Sequence, residues 1–201
     1  MDRLTYPKSR LDALTDGVYG VAMTLLVIDI RLPDDLRSTD PGALVSALVA
    51  LWPKFLPYLI SFFVLGLRWM SNVQIVTTSE RASAQYARWW LVSLFLTTCV
   101  PFTTIVLGRF PREIAAIWLY AGNTALIAGV AARMIALLPD VERDEHLLSR
   151  RVSLAVSLAT SLIAIVVSLV DARVAIWTLA LNVLTPIHLR RRRRRGETAP
   201  G

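Results

Sequence analysis

Apolar residues run along this chain in six long stretches separated by short polar segments, and the alternation predicts its elements directly. The stretches cover Leu14–Ile30, Phe55–Val76, Trp89–Leu107, Ile114–Leu138, Val152–Val170 and Val174–Leu189. Each approaches the roughly 20 residues a helix needs to cross a hydrocarbon layer, and the sixth is the weakest. Backbone groups find no water partner in lipid, so each stretch is expected to be helical rather than extended. Pro33, Pro53, Pro57, Pro111 and Pro139 fall at or near the stretch ends, whereas Pro101 lies well inside the third and predicts a kink.

Composition agrees with the pattern. Of 201 residues, 55% are apolar and 18% charged, and the mean hydropathy is +0.53. Soluble chains carry about 25% charged residues. Six spans leave no room for a separate water-soluble enzyme domain. The expected fold class is an all-α membrane protein with six transmembrane helices. Residues 1–189 form the membrane domain and 190–201 a basic tail. The N-terminus lacks the basic, apolar, small-residue order of a cleaved signal, so the chain is read as mature.

Charge sets the orientation. With the N-terminus inside, 15 Lys and Arg residues face the cytoplasm and 6 the other side, with Arg68 left within a helix. The positive-inside rule therefore puts both termini in the cytoplasm, and the expected location is the cell membrane. The tail Arg190–Arg195 directly follows a span, so it is read as meeting anionic lipid headgroups and not nucleic acid. Cys99 is the single cysteine, which removes a disulfide framework or a cysteine-based zinc site. No histidine precedes His188 within the spans, so a membrane-embedded enzyme lacks its base or ligands. Neither metal nor cofactor is expected.

The first stretch carries the most information. Ala13, Gly17, Gly20 and Thr24 form a small-residue face that lets a helix approach. Val18, Val21, Leu25 and Ile28 form a neighbouring apolar stripe, which by periodicity alone simply meets lipid or another helix. Arg10 and Asp16 stand close to the hydrocarbon, where ionisable groups face protein or water. Thr15 or Asp16 either caps a helix starting there or belongs to a functional site. Arg68 is the second such charge and can snorkel to the interface.

Arg10 followed by Leu14-Thr15-Asp16, then Gly17-Val18 and an apolar run ending Thr24-Leu-Leu-Val-Ile-Asp-Ile, resembles the signature of the transmembrane protein 175 family. These are endosomal/lysosomal potassium channels and their bacterial relatives. The family pattern is Arg-x-x-x-Phe-Ser-Asp, so Leu14 replaces Phe and Thr15 replaces Ser. Tyr58-Leu-Ile-Ser61-Phe62 with Trp69, and Pro101-Phe102 followed by Leu107-Gly108, are similar as well. Asn72 stands where the family usually has His. The length resembles the bacterial single-repeat members.

The resemblance implies a potassium-selective, leak-type cation channel, with potassium as the permeating species. It further implies a homotetramer whose first helices line the pore. No Thr-Val-Gly-Tyr-Gly filter is present. By resemblance the constriction is an apolar ring at Val21, continued by Thr24, Leu25 and Ile28. Arg10, Thr15, Asp16, Trp69 and Asn72 then form a structural network at the start of the pore helix, and Asp16 is not assigned as a cation ligand. The alternative is a secondary transporter of a small cation or metabolite, for which Pro101 and Asn123 are the only hints.

Overall fold

The computed structural model describes residues 5–33, 42–73, 81–137, 145–175 and 177–179, with the side chains of 145–150 excepted. Strand β1 (Thr5–Pro7) runs straight into helix α1 (Lys8–Leu25), which tightens into a 3₁₀ turn over Leu26–Asp29. Helix α2 (Ala43–Ala50) precedes α3 (Trp52–Val73). Strand β2 (Arg81–Ser83) leads into α4 (Ala84–Thr98), followed by α5 (Val100–Arg109), α6 (Ile114–Ala136) and α7 (Glu145–Ser168).

Five segments among the described residues are long and apolar enough to cross a membrane: Lys8–Asp29, Trp52–Val73, Ala84–Arg109, Ile114–Ala136 and Arg151–Ser168. They coincide with the first five apolar stretches. The sixth, Val174–Leu189, lies mostly outside the described residues, although 172–175 and 177–179 are helical. The tail Arg190–Arg195 lies wholly outside them.

Helix α6 is the centre of the bundle. Small and apolar residues recur along nearly its whole circumference, so it packs on α4, α5 and α7 together. Ala121, Ala128 and Ala164 are fully buried, which lets the α6 and α7 backbones come close. Helix α1 is peripheral and touches α3 and α4 along one side. Its buried residues join Leu65, Trp90, Leu94, Ile127 and Met134 in one core cluster. A second cluster, around Leu107, Ile117, Tyr120 and Leu179, fills the other end.

Several local features depart from the sequence reading. The chain is not purely helical: β1 and β2 pair antiparallel, Thr5 opposite Ser83 and Pro7 opposite Arg81. Three-residue strands are too short for a period-two pattern to show, and such a ribbon holds only because α1 and α4 continue from it. The first helix begins at Lys8, not Leu14, because residues 8–13, polar except for Leu11 and Ala13, extend it beyond the apolar stretch. Helix α2, which is too short to span, was absent from the six stretches; it starts after Gly42, whose φ of +99° suits glycine.

The prolines also differ. Pro57 lies inside α3 rather than at an end, buried beside Gly108 of α5, where an added Cβ would meet its ring at 4.0 Å. Pro101 divides the third span into two helices at Cys99 instead of merely bending it, because α5 restarts with Pro101 in its first turn. Asn123 braces this break, donating from Nδ2 to Leu96 O at 3.2 Å.

Leu65 is fully buried at the centre of the larger cluster. Leu65→Ala should lower unfolding stability by about 2–5 kcal/mol. Leu126→Ala, on an exposed face of α6, should cost far less. Monodispersity after graded heating in detergent checks the contrast.

Candidate functional site

Helix α1 has two distinct faces, which follow from where its side chains fall at about 100° per residue. Leu11, Thr15, Tyr19, Ala22 and, in the 3₁₀ turn, Leu26 are buried and form one stripe. Val18 and Met23 flank it half-buried against the same core, and most of the remaining helix is uncovered. Val21 is 59% exposed, Leu25 41% and Ile28 46%, and Thr24 lies beside them. Val21, Thr24, Leu25 and Ile28 thus share an arc of about 100°, facing away from the chain's own core. Thr24 turns its hydroxyl onto its own helix, 2.9 Å from Val21 O and 3.1 Å from Gly20 O.

The small-residue face is equally open. Ala13 is exposed, and a Cβ added at Gly17 or Gly20 would meet nothing within 4 Å. Among the described residues no helix of the same chain packs there, so the face stays open to a helix of another copy.

The buried stripe is fastened by polar contacts at the first three turns. Trp90 Nε1 on α4 donates to Thr15 Oγ1 at 2.9 Å, and that hydroxyl donates to Leu11 O, also at 2.9 Å. Trp69 Nε1 on α3 donates to Asp16 Oδ1 at 2.8 Å. Asn72 Nδ2 lies 3.4 Å from Tyr19 Oη. Four of the five anticipated network residues, Thr15, Asp16, Trp69 and Asn72, therefore engage α1 or fasten it. Asp16 and Trp69 bond each other, whereas Thr15 and Asn72 use partners the sequence did not single out, Trp90 and Tyr19.

Arg10 does not join them. It is exposed, and the ion pair among the described residues is Arg109 with Asp29. Asp16 is satisfied by an indole N–H instead. Nor is Thr15 or Asp16 a helix cap, since α1 begins two turns earlier with Pro7 at its cap position. Thr15 is buried, so its hydroxyl bridges helices.

The two ends of α1 are tied as well. At its start, Arg81 Nε donates to Thr5 Oγ1 at 2.7 Å across the ribbon. At its far end, Arg109 Nε donates to Asp29 Oδ1 at 3.1 Å, and Nη2 reaches the same oxygen. Sequence spacing could not have found these ties, because 76 and 80 residues separate the partners. One signal was available: Thr5 and Arg81 both fall on the side assigned to the cytoplasm, and Asp29 and Arg109 on the opposite side.

Arg68 does not snorkel. Its Nη2 donates inward to Ser157 Oγ of α7 at 2.9 Å and lies 3.3 Å from Thr124 O of α6. Deeper in the bundle, Ser61 Oγ donates to Tyr120 Oη at 3.1 Å and lies 2.7 Å from Thr104 Oγ1. Among the described residues no group of three His, Cys, Asp or Glu side chains is placed to hold a metal ion.

A bundle of apolar helices with one helix uncovered on its far side defines a multi-span membrane protein, and its known relatives are ion channels, not enzymes. Residues 10–101 match the family model described as endosomal/lysosomal potassium channel TMEM175. A Streptomyces collinus protein named a potassium channel is 33% identical over 144 residues, covering 71% of this chain and 68% of that one. The crystal structure of a lysosomal potassium-selective channel TMEM175 homolog from Chamaesiphon minutus superposes with a TM-score of 0.77 at 27% identity. The match covers 89% of this chain and 95% of that one. A rat relative, named endosomal/lysosomal proton channel TMEM175, is 33% identical over 114 residues, 53% of this chain but only 23% of that much longer protein. The chain belongs to the TMEM175 family.

The contacts of Asp16 lead to a direct test. A double-mutant cycle of Asp16→Ala with Trp69→Phe should give a coupling of about 0.5–1.5 kcal/mol in thermal stability. The cycle of Asp16→Ala with Arg10→Ala should give a coupling near zero. The reverse ranking would restore the Arg10–Asp16 pair.

Proposed function

We propose that this chain is one subunit of a potassium-conducting, leak-type cation channel, with four copies arranged so that their α1 helices line a central pore. The observation that carries the reading is the two-faced α1. A helix held by hydrogen bonds on one side leaves Val21, Leu25 and Ile28 uncovered on the other. One chain supplies one such helix, so a closed pore needs a cyclic ring of copies. The family and the names of the bacterial relatives favour potassium as the permeating ion. Each subunit has six spans, the last formed by Val174–Leu189. The protein lies in the cell membrane with both termini cytoplasmic, and Arg190–Arg195 of the tail meets anionic headgroups.

Val21 is the constriction in this reading. A ring of apolar side chains stops ions by dewetting, since an ion there sheds hydration water and gains no replacement oxygens. Conduction then depends on how widely the ring stands open, and Leu25 and Ile28 extend it by one and two turns. Thr15, Asp16, Trp69 and Asn72 serve by holding the helix in its rotation, with Asp16 turned to an indole and not to the ion path. Arg10, which bonds to none of these four, is a charge at the exposed mouth of the helix. Proton passage is the second reading, favoured by the name of the rat relative.

Native mass measurement in nanodiscs should give four copies; a clean monomer ends the pore reading. In liposomes, Val21→Asn should wet the ring, raise basal cation flux and weaken discrimination between potassium and sodium. Leu25→Asn should act in the same sense. Val27, about 240° from Val21 around the helix, is the control, and Val27→Asn should leave both properties unaltered. If Val27→Asn changes flux and Val21→Asn does not, a different face of α1 lines the pore. Proton gradients applied to the same liposomes decide the second reading.

A further inference from the structure

Helix α2 carries almost nothing that water would hold in place. Within Ala43–Ala50 only Ser46 is polar, and no residue is charged. At about 100° per residue the helix divides into two sides. Leu44, Val45, Leu48 and Val49 fill an arc of about 140° and are 50–69% exposed. The opposite arc holds the small residues Ala43, Ser46, Ala47 and Ala50, of which Ala47 is buried. The small side therefore meets the protein, and the bulky side stands open.

The position of α2 is set by α3. Only Leu51, itself in helical conformation, separates the two helices. Its N–H donates to Ala47 O at 3.2 Å, and Lys54 N–H donates to Leu51 O at 2.9 Å. Pro53 has no N–H to continue the ladder, so the helices break there and do not fuse. The 22 residues of α3 rise about 33 Å, which already crosses a hydrocarbon core of about 30 Å. Helix α2 adds about 12 Å beyond it, on the side of the membrane opposite the N-terminus. It has no polar surface with which to stand in water.

The composition of the bulky arc identifies what covers it. Leu and Val make up the arc, without the small or hydrogen-bonding side chains through which membrane helices meet one another. The open face of α1 is the contrast, with Ala13, Gly17 and Gly20. Trp52 is 67% exposed at the elbow and Lys54 follows it, the residue types that anchor a helix at a membrane interface. From Trp52 an exposed apolar stripe runs down α3 through Leu59 and Phe63, all within about 40°. We propose that α2 is a membrane-seated helix, lying along the interface opposite the N-terminus with Leu44, Val45, Leu48 and Val49 among phospholipid acyl chains. Such a helix sinks its apolar side about 5–10 Å into the boundary between headgroups and chains. It anchors the Trp52 end of α3, and it does so whether or not α1 lines a pore.

The test uses the full chain in its native assembly, in phosphatidylcholine nanodiscs that leave both membrane faces open to solutes. Cys99→Ala removes the single native thiol, with Cys99→Ser as a second background where alanine lowers the yield. Val45→Cys, Ser46→Cys, Leu48→Cys and Ala50→Cys, one at a time, then receive a nitrobenzoxadiazole label. These positions are all exposed, so no label displaces a packed side chain. Labels replacing Val45 and Leu48 should lose most of their fluorescence to phosphatidylcholine brominated high on its acyl chains, and little to aqueous iodide. Labels replacing Ser46 and Ala50 should show the reverse order. Equal iodide quenching at every position overturns the proposal, because α2 then stands in water. Protection of the Val45 and Leu48 positions from both quenchers also overturns it, because a second copy of the chain then covers the arc.

Discussion

The hydroxyl of Thr15 is the point on which the arrangement turns. It gives its proton to Leu11 O and receives one from Trp90 Nε1, so it is satisfied without water in a buried position between α1 and α4. Apolar contacts alone hold a membrane helix poorly in rotation, because lipid tails are as apolar as leucine. A directional hydrogen bond removes that freedom. The Trp69–Asp16 bond from α3 adds a second fixed direction one residue further along. With the azimuth of α1 set twice, the direction in which Val21 and Leu25 point is set as well.

The same logic gives Thr15 the bridging part of the family's Ser, because the hydroxyl is the group that joins Leu11 O and Trp90 Nε1. Asn72 likewise retains a donor toward Tyr19 where the family usually places His. What an amide lacks is a protonation change near neutral pH. The contact here is therefore insensitive to acidity in a way an imidazole contact would not be.

Much of the fold was legible because lipid permits so few solutions. Hydropathy marked five of the described spans to within several residues, since each helix must satisfy its own backbone. What hydropathy could not show was anything depending on partners distant in sequence. The ribbon, the Asp29–Arg109 pair and the inward turn of Arg68 all join residues more than 50 positions apart. Thr15, Asp16, Trp69 and Asn72 were legible as a set through the motif resemblance, but not their pairing. Arg10 and Asp16 looked complementary by charge. The indole of Trp69 occupies the carboxylate instead, and Arg10, exposed to water, requires no partner. Pro57 was read near the start of its stretch, and α3 begins earlier, at Trp52, which places Pro57 in the second turn of the helix.

Pro7 is at once the last residue of β1 and the residue that caps α1. No linker separates the ribbon from the helix, and β2 passes into α4 with equal abruptness. Any displacement of the segment at Arg81–Ser83 is thus delivered to α1 without slack, as a push along its axis or a torque about it. The opposite end is tied by Arg109 to Asp29, and Thr15 and Asp16 pin the helix between, so such a push meets the two indole bonds before it reaches Val21.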